Sequence, residues 1–448
     1  MPKPHLAYIA WSFPPSRAGG AYRQLATANA FAKAGWRVTV ITVEREVFIK
    51  ITGADTSLEA QIDPSIEVIR TRFPWPLRNG DRTTWSLFHK VAPKLWRKWR
   101  MAAELLVYPE VGYATWLPTV KRALKRVHKQ AKIDLVLATG VPYTSFGAAH
   151  RFAKRRGVPY VLDDRDAFTL NVFTGEPLYA PSSRRWGIER RQLAGATQAW
   201  YVNQGILDWY TGRYPEAAQR MRRVANGWDR ALLDLASAPQ TSGAAAPKRP
   251  LTFGYLGTIS GMVPVTEMLE GWRQAKADGL IPADAVLKVA GYIGYFGARP
   301  NPNRDPIAAM VWRAKDDGVE VVGPVPKTEV GEFYHSVDVN VLAIGGGKYV
   351  TSGKVFEYMA TAKPIVSIHP PGAGASQVLD GYPLWVPIEA VTGPHVAKAF
   401  GQAALMVADV TPDQQAAASQ FAAKYERQNQ LAGPVAELTE QFGPRGPL

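Results

Sequence analysis

The 448 residues exceed what one hydrophobic core usually serves, and a composition of 46% hydrophobic and 20% charged residues excludes an intrinsically disordered chain. The absence of cysteine removes disulfides, thiolate metal sites and cysteine nucleophiles together, and fits a reducing compartment. The 53 Lys and Arg outweigh 38 Asp and Glu by a formal charge of +15, which either serves solubility alone or attracts an anion: nucleic acid, acidic lipid or a phosphorylated substrate.

The opening MPKPHLAYIAWSFPP lacks the features of a secretory signal, and no window reaches the run of about 18 apolar residues that a membrane span needs. A cytoplasmic chain, peripheral at most on the inner face of a membrane, is expected. Leu6 to Val43 reads as strand, glycine loop, helix and strand, with Tyr22, Leu25, Ala28 and Ala32 at helical spacing and Gly35 as the helix stop. Gly19 and Gly20 fall where a first helix would open toward a cleft. The pair suits an anion, or is only a turn.

From Thr84 to Leu106 the chain reads TWSLFHKVAPKLWRKWRMAAELL. Phe88, Ala92, Leu95, Trp99, Ala102 and Leu106 follow a helical stripe, Lys90, Lys94, Arg97, Lys98 and Arg100 form the other face, and Pro93 interrupts. The stripe is expected to pack into the amino-terminal domain with its charges solvated, the rival reading being a helix on an anionic membrane. No nucleic-acid-binding module surrounds this charge, so nucleic acid is not expected as a partner. Further short strands are expected at DLVLATG, PYVLDDRD and AWYVN, alternating with helical stretches, as in a doubly wound sheet. The seven histidines are scattered without metal-ligand spacing.

Ala-, Ser-, Pro- and Gly-rich sequence over 233–250 marks a linker between a first domain at 1–232 and a second at 251–410, where the alternation restarts with LTFGYLG. Residues 411–448 are expected to form a helical tail. The stretch GGGKYVTSGKVFEYMATAKPIVSI, from Gly345, follows a strand and opens a helix at Ser352, Gly353 and Lys354. A hydroxyl, unpaired backbone N–H groups and an ammonium at a helix start are built to hold a diphosphate, and Glu357, one turn on, can accept from ribose hydroxyls. The same residues also read as an N-cap and an acid near the positive helix end, with no ligand.

Several of these stretches, in order along nearly the whole chain, resemble retaining glycosyltransferases of the GT-B fold and the family 4 type. They are SFPPSRAGGAYRQLATANAFAKAGWRVTVIT, ATGVPYTSFGAAHRFAKRRGVPYVLDDRDAF, VANGWD, FGYLGTISG and TSGKVFEYMATAKPIV. The resemblance implies an α/β chain of two Rossmann-like, doubly wound parallel-sheet domains facing a cleft, with carboxy-terminal helices. It implies transfer of a sugar from a UDP- or GDP-sugar to a glycan, lipid-linked or other small acceptor, with no metal and no cofactor beyond the donor. An epimerase on the same fold and a non-catalytic binding protein are the alternatives. Gly19, Gly20, Gly257, Thr258, Ser352, Gly353, Lys354 and Glu357 would bind donor, with Lys354 and Glu357 also carrying catalysis.

Tyr143, Arg165 and Asp166 would lie on the acceptor side, Asp166 orienting or deprotonating the acceptor. The Asp164-Arg165-Asp166 spacing would suit a metal, yet it matches the family's Asp-x-Arg-Asp, which favours an acceptor-side or structural role. Two departures stand out. The first Glu of the family's Glu-x7-Glu motif falls on Tyr349, and the Arg and Lys after the first strand of the second domain are missing, with Thr258 near the Arg place. Lys354, Ser352 and the Gly19-Gly20 loop are expected to compensate.

Overall fold

The computed structural model describes residues 3–233, 249–294, 305–326 and 329–443. Seven parallel strands form the first sheet: β1 (His5–Ile9), β2 (Arg37–Val43), β3 (Glu67–Thr71), β4 (Leu135–Thr139), β5 (Tyr160–Asp164), β6 (Gln198–Tyr201) and β7 (Met221–Arg223), in the order β3-β2-β1-β4-β5-β6-β7. Six form the second: β8 (Thr252–Leu256), β9 (Val286–Ala290), β10 (Val319–Gly323), β11 (Val339–Ala343), β12 (Ile365–Ile368) and β13 (Trp385–Pro387), in the order β10-β9-β8-β11-β12-β13. Central strands β1, β4, β5, β8 and β11 are buried at every residue, because helices cover both faces of a parallel sheet; their sequences are therefore mostly apolar. The sequence pattern does not disclose β3 and β7. Both are edge strands, β3 alternately exposed and β7 only three residues long, so neither carries that apolar run.

The helix Gly20–Lys33 packs Leu25, Ala28 and Phe31 onto the sheet and stops at Gly35, whose φ of 87° is the left-handed turn that a Cβ would oppose. On its buried side Arg23 forks onto Asp163 at the end of β5, with Nη2 2.6 Å from Oδ1 and Nε 3.0 Å from both carboxylate oxygens. Its Nη1 donates to the carbonyls of Val224 and Ala225 beyond β7. The pair is almost wholly out of water, at 2% and 0% side-chain exposure. One guanidinium thus clamps a helix, a central strand and the exit of the domain.

The expected 233–250 linker lies at 234–248 outside the described residues. The tail from Thr411 divides between the domains. Helix Pro412–Ala423, opened by a Thr411–Gln414 capping box, buries Ala418 and Ala422 in the second domain. Helix Arg427–Phe442 returns to the first domain, where Leu431, Val435 and Leu438 join the core of Leu25, Ala28 and Phe31, and Trp36 Nε1 donates to Thr439 Oγ1 at 2.8 Å. Gly227 and Trp228 meet this crossover: a Cβ on Gly227 would stand 2.4 Å from the Tyr425 carbonyl oxygen, so only glycine fits.

One packing expectation is corrected. The stripe through Phe88, Leu95, Trp99 and Leu106 does not enter the amino-terminal core. Pro93 divides the segment into helices Leu87–Val91 and Pro93–Val107, and Leu95, Trp99 and Leu106 remain 60%, 54% and 76% exposed. Glu104 is the longer helix's one buried residue; it accepts from the Gly112 N–H at 2.6 Å and from Arg100 Nε, which moors the helix at its carboxyl end and leaves the rest outside. Among the described residues no helix is long and apolar enough to cross a membrane.

Removing one member of a buried ion pair strands the other charge, at a cost of about 3–5 kcal/mol. Arg23→Ala is therefore expected to lower the first denaturant transition by an amount of that order, whereas the double variant Arg23→Met/Asp163→Leu, which leaves no orphan charge, should cost clearly less. Equal losses in the two variants would show that the clamp acts through shape and not charge.

Candidate active site in the interdomain cleft

In an open parallel sheet, ligands bind outside the carboxyl ends of the strands where strand order reverses. Here the reversals lie between β1 and β4 and between β8 and β11, and both open on one cleft of about 670 Å³. Gly19 and Gly20 reach it from β1, Arg165 from β5 and Asn226 from β7. Gly257 and Thr258 reach it from β8, Gly291 and Tyr292 from β9, and Ser352 to Glu357 from the helix after β11. Four cations, Arg17, Arg165, Lys354 and Arg427, line it against two carboxylates, Asp229 and Glu357, so the cleft presents net positive charge.

The second-domain wall is built on helix Gly353–Ala360. Its Val355, Phe356 and Met359 are buried, which turns the opposite face, Gly353, Lys354 and Glu357, to the cleft. Ser352 is the N-cap, its Oγ accepting from the Lys354 N–H at 3.2 Å. Glu357 accepts from Tyr334 Oη at 2.6 Å and from Lys354 Nζ at 2.8 Å. Burial, and then the Glu357 charge, push the Tyr334 hydroxyl far above its ordinary range, so it remains a donor that fixes the carboxylate. The helix is tied to its sheet where the Leu256 N–H donates to Tyr358 Oη at 2.9 Å. Beside it, Gly291 has a φ of 120° and would, with a Cβ, collide with the Gly257 carbonyl oxygen at 1.9 Å; the two loops touch because residue 291 is glycine.

Across the cleft, Gly20 begins its helix with the Arg165 guanidinium lying on it. A Cβ at Gly20 would stand 2.2 Å from Arg165 Nη1. A larger residue at position 20 would displace that guanidinium, so the helix start and Arg165 are in direct contact. Arg165 pairs with Asp166 at 3.3 Å, while its buried Nε has no partner. Asp166 is 55% exposed on the same loop, and Ala167 next to it holds a φ of 70°, a left-handed conformation uncommon for a residue with a Cβ. Arg165 therefore lines the same space as Lys354 and Glu357, whereas Asp166 sits at its margin.

Tyr143 lies elsewhere. Its ring packs against Phe146 and Phe168, its hydroxyl is sealed from solvent without a partner, and its polar contacts run through the backbone, the N–H donating to Glu110 and the carbonyl accepting from the Gly147 N–H. It stands behind the cleft wall among Asp164, Glu189, Tyr201 and Tyr210, so the acceptor-side contact expected of it is not one this geometry offers. The two acids of Asp164-Arg165-Asp166 also diverge, Asp164 inward to accept from the Ala167 N–H and Asp166 outward.

The second-domain loop at Tyr349 turns away from the cleft as well. Asn203 Nδ2 donates to the Tyr349 carbonyl at 2.9 Å, and the ring packs over Gly175 and Gly205 of the first domain. Where the family motif has its first Glu, this chain places an interdomain contact. Sequence reasoning missed Arg17, Tyr22, Gly291, Tyr292 and Arg427, which share the cleft. Arg427, whose Nη2 and Nε donate to the Gly227 carbonyl and to Asp229, lies in the tail and gave no signal; Asn226 and Asp229 were visible only as parts of VANGWD.

Burial, and then the neighbouring Glu189, push Asp164 up to about 8 from an ordinary 3.8. The folded state thus holds a proton that the unfolded state loses near pH 4. Stability is fully present below that pH and falls as pH rises toward 8, by at most about 1.4 kcal/mol per unit. Asp164→Asn should unfold at higher denaturant than the native chain at pH 8, with the gap narrowing as pH falls and closing only near pH 4. A gap independent of pH would mean that Asp164 carries no such proton.

Comparison with known proteins places this geometry. Residues 18–227 match the model of the glycosyl transferase 4-like domain. No curated protein sequence matches the chain. Among solved structures, a glycosyltransferase from Rickettsia africae ESF-5 is similar over 98% of each chain, with 12% identity and a TM-score of 0.66. Anabaena HepE in complex with UDP and glucose is similar over 97% of this chain and 99% of that one, at 13% identity and a TM-score of 0.60. A UDP-N-acetylglucosamine 2-epimerase is similar over 98% and 97%, at 14% identity and a TM-score of 0.52. Residues 18–227 are thus similar to a glycosyl transferase 4-like domain, and the chain as a whole shares the two-domain GT-B fold of these structures.

Proposed function

We propose that the protein transfers a sugar from a UDP- or GDP-sugar to a hydroxyl acceptor, a glycan or lipid-linked saccharide, with retention at the anomeric carbon. The observation that carries this reading is the placement of Ser352, Gly353, Lys354 and Glu357 at a helix start directly across one cleft from Gly19, Gly20 and Arg165. In such transfer the barrier lies in separating an oxocarbenium-like sugar from a nucleoside diphosphate, so preorganised positive charge at the diphosphate lowers it.

In this chain the helix N-terminus and the Lys354 ammonium provide that charge, with the Gly20 helix start opposite. Glu357, held by Tyr334, accepts from the ribose hydroxyls. Gly257 and Thr258 pass beneath the donor. Asp166 orients the acceptor hydroxyl, which approaches the face of the sugar that the diphosphate leaves. Charge compensation is thus assigned to these side chains, with neither metal nor cofactor in the scheme. The complex of HepE with UDP and glucose supports a nucleotide-sugar donor. The epimerase neighbour keeps a second reading in view, in which the sugar is isomerised without an acceptor.

Ligand at about 100 times its Kd contributes about 2.7 kcal/mol of stability. Thermal unfolding with UDP-, GDP- and dTDP-sugars is expected to give a shift with one nucleotide class, with affinity falling about tenfold or more in Lys354→Ala and in Glu357→Gln, each compared with its own ligand-free melt. No shift with any nucleotide sugar in the native chain would overturn the donor site. Isomerised sugar released without acceptor would favour the epimerase.

A further inference from the structure

The two helices Leu87–Val91 and Pro93–Val107 leave a face that none of the described residues covers. Leu87 is 78% exposed, Val91 76%, Leu95 60%, Trp99 54% and Leu106 76%, with Phe88 at 41% in ring contact with Trp99. Scattered exposed apolar residues need no explanation, but these follow one another along one side of the helix pair. The pair is a formed surface and not a loose strand. His89 is sandwiched between Trp85 and Trp96, with ring centroids at 3.7 and 3.6 Å, on the side away from the exposed leucines. Glu104, Arg184 and Arg151 hold the carboxyl end to the domain, the last two through the carbonyls of Leu105 and Val107.

The charge on this surface has one sign. Between residues 82 and 103 there are six cations, Arg82, Lys90, Lys94, Arg97, Lys98 and Arg100, and no Asp or Glu. All but Arg100 are exposed. Lys94 and Lys98 stand beside Leu95 and Trp99 at the same spacing of four, so cations border the apolar strip along its length. A second copy would bring like charge against like charge, in a chain already at +15. An apolar strip bordered by cations, with a tryptophan among its residues, is complementary to the interface of a bilayer: acyl chains below, anionic headgroups beside.

We infer that this helix pair docks the protein onto an anionic membrane surface, with Leu87, Val91, Leu95, Trp99 and Leu106 entering the headgroup region and Lys90, Lys94, Arg97 and Lys98 pairing with lipid phosphates. The surface joins the site through Glu110, three residues past the longer helix, which accepts from the Tyr143 and Thr144 N–H groups at the start of a helix behind the cleft wall. The inference goes beyond the donor reading and does not depend on it.

The test is sedimentation of the full chain with large unilamellar vesicles of phosphatidylcholine alone or with 30% phosphatidylglycerol as the probe, a composition chosen to span about the anionic content that attracts polybasic segments. Partition should rise at least about tenfold with the anionic lipid, consistent with several cations acting together, and collapse in high salt. Leu95→Glu/Trp99→Glu, both exposed and so compatible with folding, should lose that partition while keeping the native melt and the native nucleotide-sugar shift. Retained binding in that variant, or no binding of the native chain to the anionic vesicles, overturns the inference. So does a native chain that elutes as a dimer and becomes monomeric in the variant, since a second copy would then cover the face. Because the nucleotide-sugar shift is read separately, failure here leaves the donor site untouched, and failure there leaves the membrane surface standing.

Discussion

The Arg23–Asp163 pair is the constraint on which the first domain's share of the cleft depends. Asp163 is next to last in a central strand, and the two residues that follow its end, Arg165 and Asp166, leave it for the loop. Arg23 lies one turn into the helix whose start is Gly20. Binding the two together brings Gly20 against Arg165, so close that a side chain at position 20 would have to push the guanidinium aside. The same guanidinium takes two carbonyls just before Asn226, so the third component of that wall is fixed by the same group. Desolvating this ion pair is costly, and its forked geometry with every nearby oxygen used is what makes the arrangement tolerable.

The second constraint is the crossover of the tail. Its last helix covers the sheet of the first domain while the one before it covers the second, and Arg427 lies between them with its guanidinium on Gly227 and Asp229. The domains also meet at Tyr349, whose backbone carbonyl is held by Asn203. The cleft between these two attachments is therefore defined by contacts at both of its ends. A family position that carries a carboxylate elsewhere has here been given to an aromatic residue that joins the domains, and the cleft keeps Glu357, placed by Tyr334 and Lys354, as its second-domain carboxylate.

Burial produces the unusual protonation behaviour in the wall behind the site. Asp164 and Glu189 sit among Tyr143, Tyr201 and Tyr210 where neither can be hydrated, and both are driven toward the protonated form, chiefly by that desolvation. Glu189 spreads its oxygens over Thr169, Tyr210 and Tyr214, which favours its charge, whereas Asp164 has the Ala167 N–H and another carboxylate for a neighbour. The two acids that follow one another in the sequence thus play different parts: Asp163 is paired with Arg23, whereas burial drives Asp164 toward its protonated form.

The sequence alone determined the alternation of strand and helix, the two doubly wound domains, the glycine loop after β1 and the helix start at Ser352–Lys354, because these are written in local periodicity and in the special conformations of glycine and caps. It could not disclose β3 and β7, since an edge strand needs no continuous apolar run. Nor could it place Arg427 or Tyr292 in the cleft, since contacts across about 200 residues leave no periodic trace. The tryptophan-rich segment shows the limit most plainly. Its stripe and its cations are legible at helical spacing, but an apolar stripe looks the same whether it faces a core or the outside. Only the tertiary structure, by mooring the helix at Glu104 and leaving Leu95 and Trp99 more than half exposed, decided that it faces outward. The same holds for Arg165: its type was plain from the sequence, but its place against Gly20 follows from the fold that Arg23 and Asp163 close.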